Sequence, residues 1–138
     1  MISSFPWETI KIYEDILFQF YTGIAKISIN RPHKHNAFTP LTVQEMSEAM
    51  EMARQDTKIG VIILTGEGGK AFCSGQDLAE AVDPNGPGMK LILKEHYNPI
   101  ILRIRALEKP VVAAVNGVAA GAGANIALSC DLCIASQQ

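Results

Sequence analysis

The residues best suited to chemistry lie in two short stretches, FCSGQDL at 72–78 and NGVAAGAGAN at 116–125. Each runs from an apolar segment through small residues toward a helix start. The first backbone N–H groups of a helix have no partner inside it, and the helix dipole adds to their pull on negative charge. Two such starts meeting would offer converging N–H donors, the arrangement that stabilises an oxyanion developing on a carbonyl. Small side chains would let that carbonyl come close. They would equally let one helix lie tight against a sheet, and packing alone would then explain them.

Competing chemistries fail at particular positions. A Walker phosphate loop around Gly69 and Lys70 needs glycine where Leu64 stands, and Ser or Thr where Ala71 stands. A dinucleotide fingerprint begun at Gly121 and Gly123 meets Ile126 at its third glycine position. A nucleophile elbow around Ser74 has Phe72 and Gln76 in place of its glycines. His33 and His35 lack a third ligand nearby and make a weak metal site. Lys34 between them gives a basic loop that solvation alone would explain. Cys130 and Cys133 have CxxC spacing without a second pair; between a helix end and an apolar strand they read as two small buried residues. Asp77, at a helix start, reads as a cap.

The elements that must position these stretches follow from pattern. Residues 10–20 and 24–29 are rich in β-branched and aromatic side chains around a Tyr-Thr-Gly turn, which predicts a hairpin or meander. Thr39 caps a helix with Pro40 at its first position; Val43, Met46, Met50 and Ala53 recur at helical spacing to about Gln55. Residues 59–65 form a continuous apolar strand of the kind buried on both faces. A glycine loop follows, then a short helix from near Asp77 and a break over residues 83–88. Residues 89–107 are helical in pattern, kinked or divided at Pro99. Strands at 111–115 and 132–135 flank the small-residue loop and helix. Repeated strand–helix–strand units predict a parallel α/β sheet with right-handed crossovers.

Composition narrows the class. At 138 residues, 48% hydrophobic and 19% charged, the sequence is one soluble domain's worth of chain. Its longest apolar runs are too short to span a bilayer. A formal net charge of −2 gives no general attraction to nucleic acid or anionic membrane. The start, MISSFPWETIKIYED, lacks the features of a signal peptide, and the three cysteines lack secretory context; the expected compartment is the cytoplasm, with reduced thiols.

Taken jointly, ISINRPHKHNAF (27–38), GVIILTGEGGKAFCSGQDL (60–78) and KPVVAAVNGVAAGAGANIALSCDLCIAS (109–136) resemble the enoyl-CoA hydratase/isomerase, or crotonase, superfamily over nearly the whole chain. The resemblance implies an α/β fold of crotonase-like ββα spiral type. It implies binding of an acyl-CoA thioester and stabilisation of its enolate by two backbone N–H groups, which fall on Gln76 and Ala122. It places CoA along the loop carrying His33, Lys34, His35 and Ala37, with Ser74, Gly75, Asp77, Leu78 and Gly121 as further substrate contacts. No cofactor is expected beyond the CoA carried by the substrate, and no metal. A homo-oligomer, trimer or hexamer, is the family's habit.

The departures from the pattern are equally informative. Hydratases of this family carry Glu where Asn125 stands, and an asparagine cannot exchange protons near neutral pH. Asn125 is therefore expected to position the substrate or a water. The family's second acid/base position and its C-terminal helices lie beyond residue 135, so the 138 residues are expected to be one core domain, the N-terminal portion of the fold. Residues 7–75, with WETIKIYEDI and NRPHKHNAFTPLTVQEM, look most like dihydroxynaphthoyl-CoA synthase. Residues 76–136, with EHYNPII and VNGVAAGAGANIAL, look like the ring-epoxide isomerase of phenylacetate degradation.

Overall fold

The computed structural model describes residues 4–81, 83–86 and 88–137. The chain opens with a meander: β1 (Glu8–Ile12), β2 (Ile16–Tyr21) and β3 (Ile24–Ile29), antiparallel in both pairings. The single segment expected over residues 10–20 is two strands. The carboxylate of Glu45 accepts hydrogen bonds from the backbone N–H groups of Glu14 (3.2 Å) and Asp15 (2.7 Å), so a distant side chain holds this turn. Tyr21, Thr22 and Gly23 close the second turn with positive φ at Thr22 and Gly23.

A 3-10 turn at Pro32–Lys34 leads to α1 (Pro40–Gln55). Thr39 and Thr42 cap this helix reciprocally, each side chain accepting from the other's backbone N–H, with Pro40 in the first turn. The chain continues through β4 (Val61–Gly66), β5 (Ala71–Cys73) and α2 (Leu78–Ala81). Next come α3 (Gly88–Ile92), a π-helical turn at Leu93–Tyr97 and α4 (Asn98–Ala106). The helix expected over 89–107 is thus divided by the π-helical turn just ahead of Pro99, which sits in the first turn of α4 and has no N–H to give to the preceding turn. The last elements are β6 (Val111–Val115), β7 (Val118–Ala119), α5 (Ala122–Ser129) and β8 (Leu132–Ala135).

The main sheet has the order β1-β2-β3-β4-β6-β8 and is mixed. Its β3-β4, β4-β6 and β6-β8 pairings are parallel, as the strand–helix–strand pattern requires, while its first three strands are antiparallel. A second, two-stranded parallel sheet pairs β5 with β7. Sequence pattern missed both of these strands, since each is too short to carry a period.

Ile27, Ile62, Leu64, Val111 and Ala113 of the main sheet share one buried core with Met46, Ala49 and Met50 of α1 and Ile100 and Ile104 of α4. Fully burying a side chain of this size contributes about 1.5–3 kcal/mol. At the far edge, β8 is exposed along its whole length, with Leu132 and Ile134 open to solvent. Cys130 is buried but Cys133 is exposed, which corrects the expectation that both are buried. Cys133 lies on the edge strand β8, where among the described residues no element covers it. Among the described residues no helix is long and apolar enough to cross a membrane.

Candidate functional site

The two small-residue stretches meet. β5 and β7 pair in parallel, bringing the start of the 74–78 segment beside the turn that enters α5. Gly75 has φ +108, and a Cβ built on it would stand 3.2 Å from the Ala120 carbonyl oxygen and 3.7 Å from the Ala122 nitrogen. Glycine is needed here twice, for its backbone conformation and for this close approach.

Gln76 forms a parallel bridge with Phe38. The Phe38 N–H donates to the Gly75 carbonyl (2.9 Å) and the Asp77 N–H donates to the Phe38 carbonyl (3.0 Å). The Gly75 carbonyl and the Asp77 N–H therefore face Phe38, and because a trans peptide points its N–H opposite to its C=O, the Gln76 N–H turns the other way. Ala122 is the first residue of α5, where backbone N–H groups point out of the helix end. By contrast α2 spans only Leu78–Ala81, too short to lend much dipole. The donor expected at its start is set by the bridge to Phe38 and not by a helix terminus.

The small residues of 116–125 divide by role. A Cβ on Gly117 would lie 2.4 Å from the Lys70 carbonyl oxygen, and one on Gly123 would lie 2.1 Å from that of Cys73. These two glycines serve close packing of the chain on β5. Gly121 is different: φ is +54 and nothing lies within 4 Å of its would-be Cβ. Its glycine shapes the turn into α5 and leaves the space in front open.

A surface cleft of about 410 Å³ gathers His33, Lys34, His35, Ala37, Ser74, Gln76, Asp77 and Leu78, with Ala79 completing its wall. Gly121, Ala122 and Asn125 are not among the residues lining this cleft. Of these three, Ala122 comes near Gly75, with the would-be Cβ of Gly75 3.7 Å from the Ala122 nitrogen. His33, Lys34 and His35 are exposed, as is Leu78, whereas Ala37 is buried. Ser74 ties the basic loop to this wall, its N–H donating to the His35 carbonyl at 3.1 Å.

Asp77 caps as expected, accepting the Ala79 N–H at 2.9 Å. It also meets Arg31 at 3.3 Å, and Arg31 lies 3.6 Å from Asp15. The three side chains are nearly buried, and Arg31 further donates to the Ala37 carbonyl, so one guanidinium fixes the loop to the wall of the cleft. Asn36 completes the anchor. Its side chain accepts from the Arg31 N–H (2.8 Å) and donates to the carbonyls of Glu67 (3.0 Å) and Ala71 (2.8 Å).

Sequence reasoning passed over Tyr97. Its hydroxyl donates to the Ala122 carbonyl at 3.1 Å, and its ring stacks on Phe38 with centroids 6.1 Å apart and planes 9° from parallel. Burial raises its pKa and a hydrogen bond with the Asn125 side chain opposes the rise. The available signal was a tyrosine within an apolar helical stripe, where a buried hydroxyl must find a partner. Among the described residues no cluster of three or more His, Cys, Asp or Glu side chains gathers to hold a metal.

A family profile described as enoyl-CoA hydratase/isomerase matches residues 19–138. The chain belongs to the enoyl-CoA hydratase/isomerase family, and its α/β architecture is the crotonase fold. Among solved structures it is similar to an enoyl-CoA hydratase from Mycobacterium avium subsp. paratuberculosis, with 31% identity and a TM-score of 0.80, covering 94% of this chain and 50% of that one. It is likewise similar to an enoyl-CoA hydratase/isomerase from Xanthobacter autotrophicus, at 31% identity and TM-score 0.82, over 90% of this chain and 46% of that one. An enoyl-CoA hydratase from Bacillus anthracis gives 32% identity and TM-score 0.79, over 88% and 47%. The chain spans about half the length of these relatives.

Proposed function

We propose that the protein binds an acyl-CoA thioester and receives the thioester oxygen between the backbone N–H groups of Gln76 and Ala122. The observation that supports this reading is the close approach of Gly75, the residue before Gln76, to the Ala120–Ala122 turn, with its would-be Cβ 3.7 Å from the Ala122 nitrogen. Two preorganised N–H donors stabilise the charge that develops when a thioester becomes an enolate. The cleft supplies the rest of the site. Lys34, with His33 and His35, would meet the phosphates of CoA, while Ala37, Ser74, Asp77 and Leu78 would shape the path to the oxyanion donors. No cofactor is required beyond the CoA of the substrate.

The finer reaction we favour is isomerisation of an aromatic-ring epoxide of phenylacetyl-CoA, because residues 76–125 carry both donors and resemble that isomerase. Ring closure of the dihydroxynaphthoyl-CoA synthase type is the alternative favoured by residues 7–75. A different observation favours a third reading, a CoA-ester-binding module. Asp77 is the one carboxylate among the described residues lining the cleft, and Arg31 and the α2 cap occupy it. Asn125 cannot exchange a proton in its place. In that reading a second chain would supply the acid, and assembly into oligomers would bring it.

Calorimetric titration of the 138-residue chain with phenylacetyl-CoA, beside free CoA, tests the proposal. Saturable binding with preference for the thioester supports it; a folded chain that binds neither overturns it. Turnover of a ring epoxide by the chain alone would exclude the binding-module reading.

A further inference from the structure

Resting on that reading of Gln76 and Ala122 as oxyanion donors, we propose that Tyr97 is a positioning residue that holds the two donors in one frame. The link is continuous and can be followed atom by atom. Gln76 is bracketed by the Phe38 backbone, which donates to Gly75 at 2.9 Å and accepts from Asp77 at 3.0 Å. The Phe38 ring lies against the Tyr97 ring, 6.1 Å between centroids and 9° between planes. The Tyr97 hydroxyl then donates to the carbonyl of Ala122, at 3.1 Å. One aromatic pair thus joins two loops that are 46 positions apart in sequence.

Several features suit Tyr97 to this task. It is 8% exposed, and Phe38 is 1% exposed, so both rings are fixed by packing. The tyrosine closes the π-helical turn at Leu93–Tyr97, and such turns occur often at functional sites because they displace one residue from helical register. The hydroxyl therefore holds α5 at the carbonyl of its first residue. A carbonyl held in this way fixes the tilt of the first turn, and with it the direction of the Ala122 N–H. An oxyanion donor misdirected by a fraction of an ångström loses much of its effect.

A ring that only filled the core would not need the hydroxyl, which gives the test. The probe is phenylacetyl-CoA labelled with 13C at the thioester carbonyl, and the readout is the infrared carbonyl stretch of the bound ligand. The wild-type chain should lower this frequency. Tyr97→Phe should keep its affinity for free CoA but lose most of the frequency shift, with about a five- to tenfold fall in preference for the thioester over CoA. Phe38→Leu, which keeps the hydroxyl and loosens the ring beneath it, should show an intermediate shift. It serves as the deciding variant if Tyr97→Phe does not fold. An unchanged shift in the folded variants overturns the role of Tyr97 and leaves the oxyanion reading intact. No shift in the wild-type chain overturns the oxyanion reading, and the role of Tyr97 with it.

Discussion

Gly123 of α5 rests directly on the carbonyl of Cys73 in β5. A Cβ on Gly123 would stand 2.1 Å from the Cys73 oxygen and 2.8 Å from its carbon, closer than any real Cβ approaches backbone. The start of α5 can therefore reach β5, and Ala122 can reach Gly75, only because this position has no side chain. Gly123→Ala should destabilise the protein by about 3 kcal/mol, the upper end of overpacking costs, since backbone has to move. Gly69→Ala is the control: nothing lies within 4 Å of that position, and its effect should stay within about 0.5 kcal/mol. Urea unfolding of the two variants makes the comparison.

The anchor of the basic loop is a second point of leverage. Arg31 pairs with Asp77 at 3.3 Å and Asp15 at 3.6 Å while donating to the Ala37 carbonyl. Removing one partner of a nearly buried pair leaves the other charge uncompensated, so Asp77→Ala should cost about 3 kcal/mol, the lost α2 cap included. Arg31→Lys should cost nearly as much, because an ammonium cannot span both carboxylates and the carbonyl in one plane. Thermal unfolding of both variants checks this.

The buried thiols predict an alkaline limit. Burial pushes Cys73 up to about 11 and Cys130 up to about 12, from the usual 9.0. Above pH 9 the unfolded chain releases these protons while the folded chain keeps them, so the unfolded state binds fewer protons and stability falls as pH rises. The loss should run from about pH 9 to about pH 12, with full stability from these groups retained below pH 9. Cys130→Ala should flatten the slope in unfolding experiments across that range. At pH 8 a thiol reagent should modify exposed Cys133 rapidly, leaving Cys73 and Cys130 untouched until the chain unfolds.

Lys34 stands exposed on the cleft beside His33 and His35. Lys34→Ala should weaken binding of free CoA and of its thioesters equally, by about two- to fivefold, as befits a solvated contact to phosphate. The salt dependence of binding should shrink in the same variant. A titration series at two ionic strengths reads both effects.

Much of this architecture was legible in the sequence where local signals agreed with the fold. Thr39-Pro40 and the apolar spacing of Val43, Met46 and Met50 marked α1, and the β-branched runs marked β3, β4 and β6. The break at Tyr13–Asp15 was hidden because Glu45, 30 positions from Asp15, holds it. β5 and β7 were hidden because each exists only through pairing with the other, Ala71 with Val118 and Cys73 with Ala119. At the site, the motifs pointed to Gln76, Ala122 and the basic loop, and the structure brings the loop and Gln76 to one cleft. Tyr97 was invisible as a partner of Ala122, since its meaning depends on a contact between α5 and the π-helical turn. The glycines illustrate the same division. Small residues were visible in the sequence, but only the fold separates Gly117 and Gly123, which pack, from Gly121, which faces open space.

The most direct test of the central claim compares phenylacetyl-CoA with the matching thioether, which differs only in lacking the carbonyl oxygen. Calorimetric titration of the folded chain with each ligand measures what that oxygen contributes. The account predicts that the thioester binds about tenfold or more tightly than the thioether, since only the thioester offers an oxygen to the two N–H donors. Equal affinities would contradict reception of the thioester oxygen by Gln76 and Ala122.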